Sequence, residues 1–448
     1  MRKEGIIVSN DTCYPRNPSI HSQFHISLVV GIPAVFPLPS CYYMWHFWRE
    51  EVWSEENSAT VMLEVIAPAT VPRPYRAMEN VFAAMWQIHD PPNDREHWID
   101  GQYQLQASIE LVSTEGKIHF YLNIPRGSRE IVESAVYSQY PEVELLEVDD
   151  YTKQLPADIP NAEWNLWGTN YHLQKPDSYP IKTYMDFFEQ GFTGREEERV
   201  DPMAFLVESL SRLGKGEHMW IQFLLYPVTR AENDYYTRGK EIVDELAHRD
   251  PKKGASTLGQ DIKKVGGGLI SGNIPDLPTE KEEERNTFMA PELQLTTGER
   301  DIVGAIERKI GKWGFMTCAR FIYIARRENY LSPAKALAMS YFTQFSTTNL
   351  NTFRPLSPTL TKSYTFRYAL WDRRRAFMKR RRMMRNYLFR LPPYFPKIDM
   401  GGSKEYFFMN IEELATVFHF PGTTSASTAI ENIPSKKAQA PTELPTNP

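Results

Sequence analysis

Residues 60–152 alternate between two hydrophobic periods in an order that few folds can accommodate. "TVMLEVIAP" reads as a strand, and "PYRAMENVFAAMWQIHD" carries Met78, Phe82, Met85 and Trp86 at helical spacing. "QYQLQASIELVS" alternates as a strand, "TEG" turns the chain, and "KIHFYLNIP" answers as the second arm of a hairpin. "SREIVESAVYSQYP" begins on a serine cap and reads as a helix, and "VELLEVDDY" closes with a strand. The order β-α-β-β-α-β predicts a split, ferredoxin-like unit, so the expected fold class is α+β.

The same alternation resumes further on. "WNLWGTNYHLQ" is a predicted strand, "DPMAFLVESLSRL" a helix with proline in its first turn, "EHMWIQFLLYPV" a buried strand and "YYTRGKEIVDELAHR" a helix. Residues 250–298 break the pattern with six glycines between Pro251 and Pro278 and the charge run "TEKEEER", which predicts a linker. "ERDIVGAIERKIGKW", "FMTCARFIYIARR" and "SPAKALAMSYFTQFS" then read as helix, strand and helix. Together these pieces predict a second ferredoxin-like unit, interrupted by the linker and sharing no residue-level identity with the first. "KEYFFMNIEELATVFHFPG" adds a strand and a short helix, and the Thr/Ser/Pro-rich residues 423–448 predict a tail without regular structure. The expected boundaries are 1–56, 57–160, 161–360, 361–422 and 423–448.

Near the N-terminus, Ile26 to Trp48 contains 23 residues without a formal charge. A helix of that length reaches across a hydrocarbon layer of about 30 Å. Leu28, Val29, Val30, Val35 and Phe36 would face lipid, and Trp45 and Trp48 suit its interfacial end. Pro33, Pro37 and Pro39 oppose an unbroken helix. A buried apolar hairpin, or a lipoprotein-type box at "LPSC", are the rival readings. Arg2, Lys3 and Arg16 precede the segment and Arg49 follows it, which favours a cytoplasmic N-terminus by cation count.

Charge is distributed unevenly. Residues 363–390 hold ten lysines and arginines against Asp372 alone, a local +9 in a chain of net charge −5, which leaves −14 for the remainder. Arg373, Arg374, Arg375, Lys379, Arg380, Arg381, Arg382 and Arg385 are the candidate contacts to DNA or to an anionic surface. On a helix, Phe377, Met384 and Leu388 would form the stripe that docks on the protein or a lipid boundary. No base-reading motif accompanies the cations, so DNA contact would be nonspecific and salt-sensitive.

Catalytic signatures are missing. There is no GxxxxGK[ST], HExxH, GxSxG or GxGxxG, and Cys13, Cys41 and Cys318 show neither disulfide nor zinc spacing. "HDPPNDREHW" offers His89, Asp90, Asp94 and His97, types that can bind a metal or serve a hydrolase, but it reads more simply as a helix end, a Pro-Pro turn and a cap. His119 in "KIHFYLN" reads as a strand histidine at a solvent-facing or edge position. No cofactor, no metal and no enzymatic activity are expected.

"PYRAMENVFAAMWQIHDPPN", "VESAVYSQYPEVELLEVDDYT", "DIPNAEWNLWGTNYHL" and "MNIEELATVFHFPG" resemble the region that precedes the motor domain in type IV secretion coupling-protein-like ATPases of the HerA–FtsK superfamily. The resemblance spans roughly residues 40–445. It implies a non-catalytic, membrane-anchored module of a conjugation-like DNA-transfer machine. The implied partners are a motor ATPase, DNA or anionic lipid, the membrane and further copies of the chain, with the folded domains on the cytoplasmic side. The chain departs from that family in lacking a Walker A motif, so ATP hydrolysis is not carried over. The competing expectation is a membrane-associated scaffold that binds only proteins, in which the arginines complement acidic faces.

Overall fold

In the computed structural model the described residues are 37–57, 59–66, 74–187, 201–247, 295–362, 369–394 and 406–420. They fall into two compact units: one contains the N-terminal helix and Pro92–Tyr103, the other contains the rest. The expected linker lies almost entirely outside the described residues, and the expected tail wholly so.

The smaller unit is built on helix α1 (Pro37–Asn57). Pro37 and Pro39 fall in the first turn, where a missing N–H costs the helix nothing. Tyr42, His46, Arg49 and Trp53 make an i, i+4, i+7, i+11 seam onto residues 92–103. The Tyr42 hydroxyl donates to the Trp98 carbonyl, and His46 Nε2 lies 3.0 Å from the His97 carbonyl. Arg49 donates to the Ile99 carbonyl, and Trp53 packs edge-on to Tyr103.

The larger unit is a nine-stranded sheet. Its first half runs β1 (Thr60–Ile66), α2 (Pro74–Met85), β2 (Ala107–Thr114), β3 (Lys117–Pro125), α3 (Arg129–Gln139) and β4 (Glu144–Glu147). The second half runs β5 (Trp164–Leu173), α4 (Pro202–Ser211), β6 (Glu217–Val228), α5 (Tyr235–Leu246), α6 (Thr297–Ile310), β7 (Gly314–Arg326), α7 (Lys335–Gln344) and β8 (Phe353–Pro355). Helix α8 (Ala369–Leu388), β9 (Phe407–Asn410) and α9 (Ile411–Val417) complete the described chain.

Strand order is β4-β1-β3-β2-β6-β7-β5-β8, with β9 on β7. Each half therefore places its third strand between its first and second and its fourth strand outside its first. Every pairing is antiparallel, and the halves join where Ala107–Thr114 runs against Leu225–His218. Where a two-residue turn links β2 to β3, the second half inserts α5 and α6. Gly239 lets those helices approach closely: a Cβ there would lie 2.4 Å from Ile310 Cγ2.

Period-2 alternation sends side chains to both faces of the sheet. Leu63, Leu111, Phe120, Ile221 and Phe321 pack under α2, α3, α4, α7 and α9. Their neighbours Met62, Val112, Tyr121, Trp220 and Ile322 pack with Met383, Met384 and Tyr387 of α8 on the opposite face. Coverage on both sides explains the near-continuous apolar runs of β6 and β7, which an antiparallel sheet with one wet face would not need.

The stretch from Tyr406 to Phe420 is buried at every residue. Glu413 accepts from the Ile181 and Asn410 backbone N–H groups, and the Thr416 hydroxyl accepts from that of Tyr184. Phe418 and Phe420 set their rings against Phe120 of the first half. The "MNIEELATVFHF" stretch is thus an internal strut across the helical face, with its polar groups spent on backbone N–H groups and on Lys309, Lys312 and Asp201.

Candidate functional site

Helix α8 carries all eight predicted cations, and its seat on the sheet decides which of them meet solvent. Arg373, Arg374, Arg375, Arg382 and Arg385 are exposed. Lys379, Arg380 and Arg381 are half-buried and engaged: Lys379 Nζ donates to the Leu360 carbonyl and Arg380 to Asn165 Oδ1. Arg381 lies 3.9 Å from Asp158 and over the Phe377 ring. Burial, reinforced by Arg375, lowers the Lys379 pKa, and burial with Arg382 nearby lowers that of Arg385.

The docking stripe differs from the expected one. Met383, Met384, Asn386 and Tyr387 face the sheet, whereas Phe377 is 42% exposed and Leu388 only partly covered. At about 100° per residue, Phe377, Arg381, Arg374, Arg385, Met378, Arg382 and Arg375 share one outward arc of about 160°. The side that a linear stripe assigned to Phe377 is taken by Tyr387, which packs with Met383 and Met384 and whose hydroxyl finds a buried polar partner.

That partner is a network under the C-terminal end of α8, where the two half-sheets meet. Glu110 is fully buried and accepts from Ser108, Gln222, Tyr151 and Arg390. Arg390 also binds Asp150 at 2.8 Å, and the Tyr151 and Tyr387 hydroxyls are 2.9 Å apart. Burial pulls the Arg390 guanidinium down, but Glu110 and Asp150 more than offset it and leave its pKa raised. Burial, then Glu110, pushes both tyrosines well up. Arg320, on β7, donates to Gln222 and to the Leu391 carbonyl, and burial lowers its pKa. Neither Arg320 nor the anchoring role of Arg390 was legible beforehand. Arg320 interrupts an apolar strand, and that interruption is the only signal the linear chain offers.

The remaining candidates separate. His89 stacks on Trp86 and pairs with Glu232 at 2.7 Å in the larger unit, while His97 belongs to the smaller one and contacts the Gln102 carbonyl. Among the described residues no group of three or more His, Cys, Asp or Glu side chains could hold a metal ion. His119, on an inner strand rather than an edge, sits 2.6 Å from Glu64 on β1. Trp45 and Trp48 lie on α1, 39% and 53% exposed. Leu28, Val29, Val30, Val35 and Phe36 lie outside the described residues. Among the described residues no helix is long and apolar enough to cross a membrane.

A family model, described as a domain of unknown function (DUF8128), matches residues 86–433. The chain belongs to this DUF8128 family. The match begins after β1 and α2 and takes in the rest of the first half-sheet, the whole of the second, the basic helix and the buried "MNIEELATVFHF" strut. No curated protein matches the chain.

Proposed function

We propose that this chain is a non-catalytic, membrane-associated module of a DNA-transfer machine of the type IV secretion or conjugation class, acting with a motor ATPase on another chain. The observation that carries the reading is the orientation of α8. Its buried face is locked to the sheet, so Arg374, Arg375, Arg382 and Arg385 are held outward as a fixed cationic surface, with Arg373 exposed near the start of the helix, in a chain that is otherwise strongly acidic. A polyanion backbone is the partner such a surface suits, with counterion release as the driving term.

In this reading each half of the sheet is a ferredoxin-like unit, a view supported by the two matching strand orders. The pair forms a rigid platform for assembly with the motor and with further copies, at the cytoplasmic face of the membrane.

The test is fluorescence anisotropy of the whole chain with labelled DNA over about 50–300 mM salt. If each exposed arginine neutralises one phosphate, log K against log salt should have a slope of about −4 to −5. Converting Arg373, Arg374, Arg375, Arg382 and Arg385 to Gln should abolish binding without altering the melting temperature. Absence of binding at the lowest salt would overturn the DNA reading and favour the protein-only scaffold, for which the exposed Phe377 and Met378 beside the cations would be the contact.

A further inference from the structure

Helix α1 turns a second, chemically different surface to solvent. Its seam of Tyr42, His46, Arg49 and Trp53 is occupied by residues 92–103. The opposite side carries Tyr43 at 67%, Met44 at 68%, Phe47 at 47% and Trp48 at 53% exposure, flanked by Trp45. At about 100° per residue these five side chains span an arc of about 200° over two turns. Trp98 and Ile99, from the docked segment of the same unit, add two more exposed apolar side chains. Single exposed apolar residues are ordinary, but a contiguous set of this size marks an interaction surface.

Two features say what covers it. The outward side changes character along the helix: aromatic from Tyr43 to Trp48, then acidic at Glu51, Glu55 and Glu56, all exposed. A protein groove that received the aromatic turns would not require that division, whereas a boundary between lipid and water does. The aromatic end also continues in sequence into residues 26–36, which carry no formal charge. Tryptophan and tyrosine, with apolar bodies and polar tips, are the side chains that settle at headgroup level. The one cation of α1, Arg49, lies 6.0 Å from the Trp48 ring centre, but it donates to the Ile99 carbonyl and faces Asp100 at 4.0 Å, so its charge is already matched within the unit.

We infer that Tyr43, Met44, Phe47 and Trp48 form a phospholipid-interface surface that takes neutral headgroups and does not need anionic lipid. The first exposed turns of α1 lie at the boundary, and the acidic turns stay in water. This sharpens the membrane clause of the proposed function and rests on it only there.

The test is flotation of the full-length chain with phosphatidylcholine vesicles at 0.1 and 0.5 M salt, with quenching of tryptophan emission by acyl-chain-brominated lipid. Wild type should float equally at both salts. A Tyr43→Gln/Met44→Gln/Phe47→Gln/Trp48→Gln variant with unchanged circular dichroism should partition at least tenfold more weakly. Trp48→Phe alone should remove a share of the quenching while floating normally. Three results would overturn the inference: a wild type that stays unbound, a quadruple variant that floats like wild type, or flotation that requires anionic lipid and fails at 0.5 M salt. An unbound wild type whose dimerisation is lost in the quadruple variant would assign the face to a second copy. DNA binding is measured separately, so vesicle binding without DNA binding would sink the basic-face reading and leave this one standing.

Discussion

Lys309 and Glu413 face each other 2.9 Å apart, and neither side chain reaches solvent. The lysine comes from α6 and the glutamate from the strut helix α9, so the pair ties the inserted helices to the centre of the larger unit. Burial pushes the Glu413 carboxyl up against the pull of the Lys309 ammonium. Removing one partner strands a buried charge, which typically costs about 3–5 kcal/mol. Lys309→Met should lower stability by about that much in urea unfolding, and Lys309→Met/Glu413→Gln should recover a substantial part. An additive double variant would mean that the pair is not coupled.

The Arg390–Glu110–Asp150 group should behave as a structural lock. Arg390→Met leaves Glu110 buried with a shortened set of donors and should destabilise the fold by about 3 kcal/mol. Arg374→Gln, on the exposed arc of α8, should change stability by less than about 0.5 kcal/mol. Comparing the two denaturation midpoints separates the arginines that hold the helix from those it displays.

Alkaline pH should unfold the protein cooperatively. Burial raises the pKa of Tyr151, Tyr341 and Tyr387 far above 10, and that of Tyr226 to about 12. A group whose folded pKa is raised contributes stability that is complete below its unfolded value and lost as pH climbs beyond it. Absorbance near 295 nm should therefore show these tyrosines ionising together with loss of circular dichroism above pH 10. A smooth titration with the fold intact would contradict their burial.

The turn between β2 and β3 places Glu115 at φ +53° and Gly116 at φ +86°. A Cβ at position 116 would lie 2.8 Å from the Ser211 carbonyl oxygen and 2.9 Å from that of Leu213. Gly116→Ala combines a left-handed backbone with a clash against main chain and should cost about 1–3 kcal/mol. Its melting temperature is the measurement, and an unchanged value would mean that the turn can rearrange freely.

Element types and their order were written in the linear chain. Alternation at Val61, Leu63 and Val65 marks β1, the spacing of Met78, Phe82 and Met85 marks α2, and "TEG" marks the hairpin, because these are local consequences of a period-2 or period-3.6 side-chain direction. The outward set of arginines was partly legible too, since eight cations in thirteen residues cannot all be buried. What only the tertiary structure decided is the pairing of β2 with β6, the selection of Tyr387 rather than Phe377 for the docked face, and the conversion of the "MNIEELATVFHF" residues into an internal strut. Each depends on partners more than 70 residues away in the chain, such as Glu110 for Arg390 and Lys309 for Glu413. Side-chain periodicity reports how a residue faces its own element. It carries no record of which distant group will satisfy a buried charge or which distant side chains will cover an apolar face, such as Trp220 and Ile322 against Met383, Met384 and Tyr387 of the arginine helix.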